Sequence, residues 1–163
     1  MINYLSMVNY IIGRKTICNL IKYANKIITA LTFVSYPVFL AFLFYYKNEN
    51  LLQYILFPAV SFALVSVFRH FCNAQRPYEK YGYKPIGKKN PKSGKSFPSR
   101  HVFSAFVISF MFLDYCTVLG IVFLVLSSLL GIIRVISGVH FLKDVLAGMI
   151  TAVLVYIIML LTM

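Results

Sequence analysis

Charge is scarce in this chain: of 163 residues only 12% are Asp, Glu, Lys or Arg, and four are acidic. Against 60% hydrophobic residues, that leaves too little polar surface to coat a water-soluble globule of this size, so lipid must solvate much of it. Cysteine is equally sparse. Cys18, Cys72 and Cys116 are odd in number and lack C-x-x-C spacing, which excludes a disulfide framework and a zinc site. All three read as small buried hydrophobes. No cluster has metal-ligand spacing, so no metal or cofactor is expected and a metal-dependent hydrolase is disfavoured. Internal repeats are lacking, and the apolar runs do not alternate as barrel strands would.

What is present is a series of uncharged runs: Ile27–Tyr46, Leu51–Phe68, Val118–Ile133 and Val145–Met163. Each approaches the ~20 apolar residues a helix needs to cross the hydrocarbon core. A fifth run, Val102–Leu113, is shorter but has uncharged flanks. The expected fold is an all-α integral membrane bundle of about five transmembrane helices. Pro37 and Pro58 fall inside the first two, where neighbouring helices can repair the lost bonds. Before them, Ile17, Leu20, Ile21, Ala24 and Ile27 recur at helical spacing, with Arg14, Lys15, Lys22 and Lys26 between. Residues 1–26 are therefore expected as an amphipathic helix on an anionic lipid surface, and 27–163 as the transmembrane domain.

Five spans put the amino terminus, the Arg69–His101 segment and the Arg134–Asp144 connection on one side of the membrane. Fifteen of the 16 Lys and Arg residues lie there, and only Lys47 on the other. The positive-inside rule makes the crowded side cytoplasmic.

The net charge of +12 asks for an anion. Gly94-Lys95-Ser96 suggests a nucleotide-binding loop, but G-x-x-x-x-G-K-[ST] needs glycine at position 89, which is Lys89. Nucleic acid fits no better, because the basic residues are pinned to a membrane beside the interfacial Tyr78, Tyr81 and Tyr83. Lys80, Lys84, Lys88, Lys89, Lys92 and Lys95 read as a solvated surface facing anionic lipid, with Lys88–Ser96 a flexible lead-in. His70 reads as an interfacial histidine and Asp114 as a turn or cap residue.

The span ends need another account. Arg69 and Arg76 follow the second run, His101 opens the third, and Arg134, His140 and Asp144 follow the fourth, all on one side. Ionisable groups at the edge of hydrocarbon tend to be functional. Three guanidinium forks, two imidazoles and one carboxylate suit the binding and cleavage of a phosphate ester. His140 and Asp144, four apart, share a face if helical. The carboxylate can then orient one ring nitrogen while the other attacks phosphorus, and His101 can protonate the leaving alkoxide.

At these residues the chain resembles the type 2 phosphatidic acid phosphatases, the membrane branch of the vanadium haloperoxidase superfamily. That family's pattern is K-x6-RP, PSGH and SR-x5-H-x3-D. Here the blocks read Arg69-x6-Arg76-Pro77, Pro98-Ser99-Arg100-His101 and Ile133-Arg134-x5-His140-x3-Asp144. The resemblance implies a metal-independent lipid phosphatase. His140 is the nucleophile, Asp144 its orienting partner and His101 the general acid. Arg69, Arg76, Arg134, Ser99 and the Arg100 N–H hold the phosphate. The implied substrates are phosphatidate, phosphatidylglycerophosphate or isoprenyl diphosphates, and the implied partners are membrane lipids, with no nucleic acid or nucleotide. Family habit places the site on the outer face, against the charge count. Arg69, Arg100 and Ile133 stand where the family has lysine, glycine and serine. The alternative they raise is a catalytically impaired lipid-phosphate-binding membrane protein.

Overall fold

A computed structural model of the chain describes residues 4–87, 91 and 93–162. Of the residues discussed above, the first three of the amphipathic segment, Lys88, Lys89, Asn90 and Lys92 of the basic lead-in, and Met163 lie outside it. The described residues form helices and connections without a strand. The helices are α1 (Tyr4–Ile12), α2 (Lys15–Tyr45), α3 (Leu51–Cys72), α4 (Pro77–Tyr81), α5 (Arg100–Tyr115), α6 (Thr117–Ile136) and α7 (Leu142–Thr162).

Four of these are long and apolar enough to cross a membrane: α2, the helix starting at Leu51, α6 and α7. Their outer faces carry Phe44, Phe71, Val118 and Leu161, each more than 70% exposed. Such faces need hydrocarbon around them. The amphipathic segment is built as α1 plus the first turns of α2, which runs unbroken from Lys15 into the bilayer-length helix.

α5 is the exception. At 16 residues it rises only about 24 Å, short of the ~30 Å hydrocarbon core. Every residue from Val102 to Ser109 is buried, because α2, α3, α6 and α7 all pack around it. A helix sheathed in protein need not match the bilayer. Ser109 and Ser127 share a buried 2.8 Å hydrogen bond between α5 and α6.

Pro58 is tolerated for an identifiable reason. Lacking an N–H, it leaves the Tyr54 carbonyl without its helical donor. The Tyr36 hydroxyl on α2 donates to that carbonyl at 2.8 Å. Tyr54 in turn donates its hydroxyl to Asp114, so Asp114 joins α3 to the far end of α5 rather than merely capping a turn. Cys72 and Cys116 are exposed, against expectation; in a membrane bundle a small apolar side chain is equally satisfied by lipid.

Two glycines set the helix spacing around α5. A β-carbon on Gly120 would meet the Leu113 Cα at 2.2 Å, since only Cys116 separates α5 from α6. A β-carbon on Gly148 would meet the Ser99 carbonyl oxygen at 2.8 Å, so α7 lies directly against the start of α5. Gly120→Leu is therefore expected to destabilise the detergent-solubilised protein by about 1–3 kcal/mol, the usual scale of overpacking. Gly13→Ala, where contacts start at 3.6 Å, should stay within about 0.5 kcal/mol. Thermal unfolding midpoints of the two variants check this.

Candidate functional site

The polar end of the bundle is assembled from helix termini. α3 delivers Arg69 in its last turn, α5 begins at Arg100–His101, α6 ends with Arg134, and α7 starts with Asp144 in its first turn. Between α3 and α5 the chain forms the short helix α4. Pro77 stands at its start, where a missing N–H does no harm. The Glu79 carboxylate accepts from the Arg76 N–H at 2.7 Å.

Asp144 is fully buried. Its Oδ2 accepts from the Ser96 hydroxyl, accepts the Phe141 N–H at 3.0 Å, and faces His140 Nδ1 at 3.5 Å. Ser96 Oγ also lies 3.3 Å from His140 Nδ1. The 3.5 Å contact is long for a hydrogen bond, so Ser96 is the firmer partner of the carboxylate. The Asp144 carbonyl oxygen accepts the Ser99 N–H at 2.8 Å, tying α7 to the turn before α5. The carbonyl of Arg134 accepts the N–H groups of Val139 and His140, both at 3.3 Å, which fixes the His140 backbone beside the end of α6. With Nδ1 turned to Asp144 and Ser96, Nε2 is the ring nitrogen left for other work. Burial of His140 lowers its pKa from 6.5 to about 4, against the raising pull of Asp144.

The arginines divide. Arg69 is buried and clamps the loop before α5: Nη1 donates to the carbonyls of Ser96 (3.3 Å) and Pro98, and Nη2 to that of Lys95. Arg76 reaches the same loop, Nε to Gly94 at 3.0 Å and Nη2 to Lys95 at 3.4 Å. Its Nη1 donates to Val139 at 3.2 Å, joining that loop to the His140 connection. Gly94 is held again through its N–H to Glu79 at 2.7 Å. The stretch Gly94–Ser96, expected as flexible, is thus pinned from three side chains. Arg100 turns outward, with Nη1 3.3 Å from Ser66 Oγ and its guanidinium 5.5 Å from the Phe62 ring.

Arg134 and His101 line a cavity of about 510 Å³, together with Ser137, Val139, Ile86, Gly87 and a face of α2. Arg134 is buried, with Nε lacking a protein partner, and Ser99 Oγ is likewise buried and unpartnered. The His101 ring packs edge-on against Phe33 at 6.3 Å. The guanidinium of Arg134, the imidazole of His101 and the hydroxyl of Ser137 thus share one cavity, an anion-binding set, whereas Ser99 and the buried His140 are not among its lining residues. Among the described residues no group of three or more His, Cys, Asp and Glu side chains is placed to hold a metal ion.

These termini carry the three sequence blocks that resemble the lipid phosphatases, and the comparison with known families agrees: the PAP2 superfamily matches residues 50–163. The chain belongs to the PAP2 superfamily. Two solved structures superpose on it. LpxE from Aquifex aeolicus has 27% identity and a TM-score of 0.70, covering 86% of each chain. The first transmembrane PAP2-type phosphatidylglycerolphosphate phosphatase from Bacillus subtilis has 22% identity and a TM-score of 0.66, covering 98% of this chain and 91% of its own. At that identity the second likeness concerns the fold. No curated relative matches. With its four bilayer-length helices and this fold, the PAP2 chain is a multi-pass membrane protein.

Sequence reasoning missed Ser96, whose role depends on a contact with a residue 48 positions away that no local spacing signals. It also missed a strap over residues 135–138. Tyr4 Oη donates to Val135 at 3.2 Å, Tyr83 Oη to Gly138 at 3.1 Å, and the Ile86 N–H to Ser137 at 3.1 Å.

Two outcomes follow from the buried cluster. Ser96→Ala removes the donor to a buried carboxylate and should cost about 1–3 kcal/mol of stability. For His140, the unfolded chain binds a proton below about pH 6.5 that the folded chain refuses until about 4. Its contribution is complete above about 6.5 and declines on acidification, by at most about 1.4 kcal/mol per pH unit. Denaturant titrations at pH 7.5 and 5.5 should show the wild type losing more stability than His140→Gln.

Proposed function

We propose that this chain is a membrane phosphatase that hydrolyses a lipid phosphomonoester or diphosphate through a phosphohistidine on His140. The observation that carries this reading is the buried Ser96–Asp144–His140 cluster, which turns Nδ1 of the imidazole inward and leaves Nε2 as the nucleophile. Family membership and the phosphatase named among the similar structures support the same chemistry.

In this mechanism the lipid phosphate enters the cavity beside Arg134 and His101 and is drawn on toward Ser99, the first N–H groups of α5 and His140. Those donors meet the charge that spreads over the equatorial oxygens in the transition state. His140 Nε2 attacks phosphorus while the bond to the lipid oxygen breaks, and protonated His101 gives its proton to that oxygen. Water then attacks the phosphohistidine, His101 takes the water's proton, and inorganic phosphate leaves. Asp144 orients His140 and stabilises the positive charge the ring acquires. The lowered pKa keeps the ring unprotonated, hence nucleophilic, at neutral pH. Arg69 and Arg76 act by positive field and by fixing the loop that carries Ser96 and Ser99. In this reading residues 27–163 form the phosphatase domain and the preceding segment rests on the lipid surface.

The test is phosphate release from lipid phosphates by protein purified in detergent with chelator present. Activity should persist with chelator, His140→Ala should abolish it, and His101→Ala should lower kcat by about 10²–10⁴-fold. Full activity in His140→Ala overturns the nucleophile assignment.

A further inference from the structure

The cavity that holds His101 and Arg134 has a second wall. Lys22, Asn25, Lys26 and Thr29 of α2 all line it. Their spacing of i, i+3, i+4 and i+7 makes them one stripe along the helix. The rest of α2 is overwhelmingly apolar, so the stripe is a polar face turned toward the site rather than a generally solvated helix. Asn25 Oδ1 and Thr29 Oγ1 are buried there without a protein partner, an arrangement that asks for a ligand. Lys22 and Lys26 are exposed at the cavity's mouth, and the Lys22 stem is placed beside Gly87, where a β-carbon would sit 3.6 Å from Lys22 Cγ.

Size and charge point the same way. A single phosphate displaces about two or three waters, on the order of 100 Å³ at most. The cavity holds about 510 Å³. One phosphate is already matched by Arg134 and His101, so the two further lysines on the same cavity are surplus to it. Binding energy placed away from the reacting centre serves to select and position the substrate.

We propose that Lys22 and Lys26 bind a second phosphate on the substrate's headgroup, with Asn25 and Thr29 completing that subsite. The preferred substrate then carries two phosphates close together, either as a diphosphate or as a phosphomonoester joined to a phosphodiester, rather than a lone phosphate on diacylglycerol. This inference rests on the phosphatase reading above and extends it to substrate choice. It reassigns the two lysines from the lipid surface to the headgroup.

The experiment compares three lipids in neutral-detergent micelles, where no anionic surface is present: phosphatidate, phosphatidylglycerophosphate and farnesyl diphosphate. Wild type, Lys22→Gln/Lys26→Gln and Lys22→Arg/Lys26→Arg are assayed for kcat/KM. Binding of the same lipids to each is measured in parallel by calorimetry on a His140→Ala background. In wild type, at least one two-phosphate lipid should be preferred over phosphatidate. The glutamine pair should lower that preference ratio by about tenfold or more, the scale of a lost charged hydrogen bond, and the arginine pair should keep it. Which two-phosphate lipid loses most identifies the headgroup type. An equal loss on all three lipids, or no loss, overturns the subsite. A lysine-dependent binding preference without phosphate release by wild type would instead contradict the phosphatase reading and leave the subsite standing.

Discussion

Asp144 sits fully buried in the first turn of α7, and the polar end of the molecule is built around the need to satisfy it. An ionised carboxylate in such a place is costly unless donors surround it. The helix start helps through its dipole and the Phe141 N–H. The Ser96 hydroxyl and the facing His140 imidazole join that N–H on Oδ2, while Oδ1 is buried without a hydrogen-bond partner. Because these partners come from two separate connections, satisfying one carboxylate forces the loop before α5 and the turn before α7 into contact. The Ser99 N–H to the Asp144 carbonyl closes the same junction from the backbone side. Gly148 allows the helices to approach closely enough for this.

The loop so drawn in would still leave backbone carbonyls without donors near apolar helix ends. Arg69 and Arg76 answer that need, with five hydrogen bonds to carbonyls from Gly94 to Pro98 and a sixth to Val139. A guanidinium fork is suited to several acceptors at once, which a lysine in place of Arg69 would not match. The arginine at this position therefore changes how the loop is held. The outward course of Arg100 likewise explains how a long side chain occupies a position next to His101: it leaves along α3 toward Ser66 and Phe62 instead of filling the cavity.

Much of this architecture was legible in the sequence, and the reasons differ by element. Uncharged runs located α2, α3, α6 and α7, since hydrocarbon demands them. The helices outlast the runs, however, because α3 carries on through Arg69 and His70 and α6 through Arg134. Charge marks where hydrocarbon ends, whereas a helix ends where its backbone bonds stop. α5 was harder to read because it is shielded by protein and freed from bilayer length. The candidate residues Arg69, Arg76, His101, Arg134, His140 and Asp144 were visible as ionisable groups at span ends. Ser96 and the α2 stripe were not, since both depend on contacts across the fold between segments whose local pattern reads as basic surface.

The proposed reaction depends on Asp144 and Ser96 presenting His140 Nε2 for covalent transfer of a phosphoryl group. The most direct measurement is to mix wild-type protein with a lipid labelled in its terminal phosphate, quench in alkali within milliseconds, and map the labelled peptide. The account predicts an alkali-stable, acid-labile label on the peptide containing His140. A label on any other residue, or turnover with no covalent label at any time point, would contradict it.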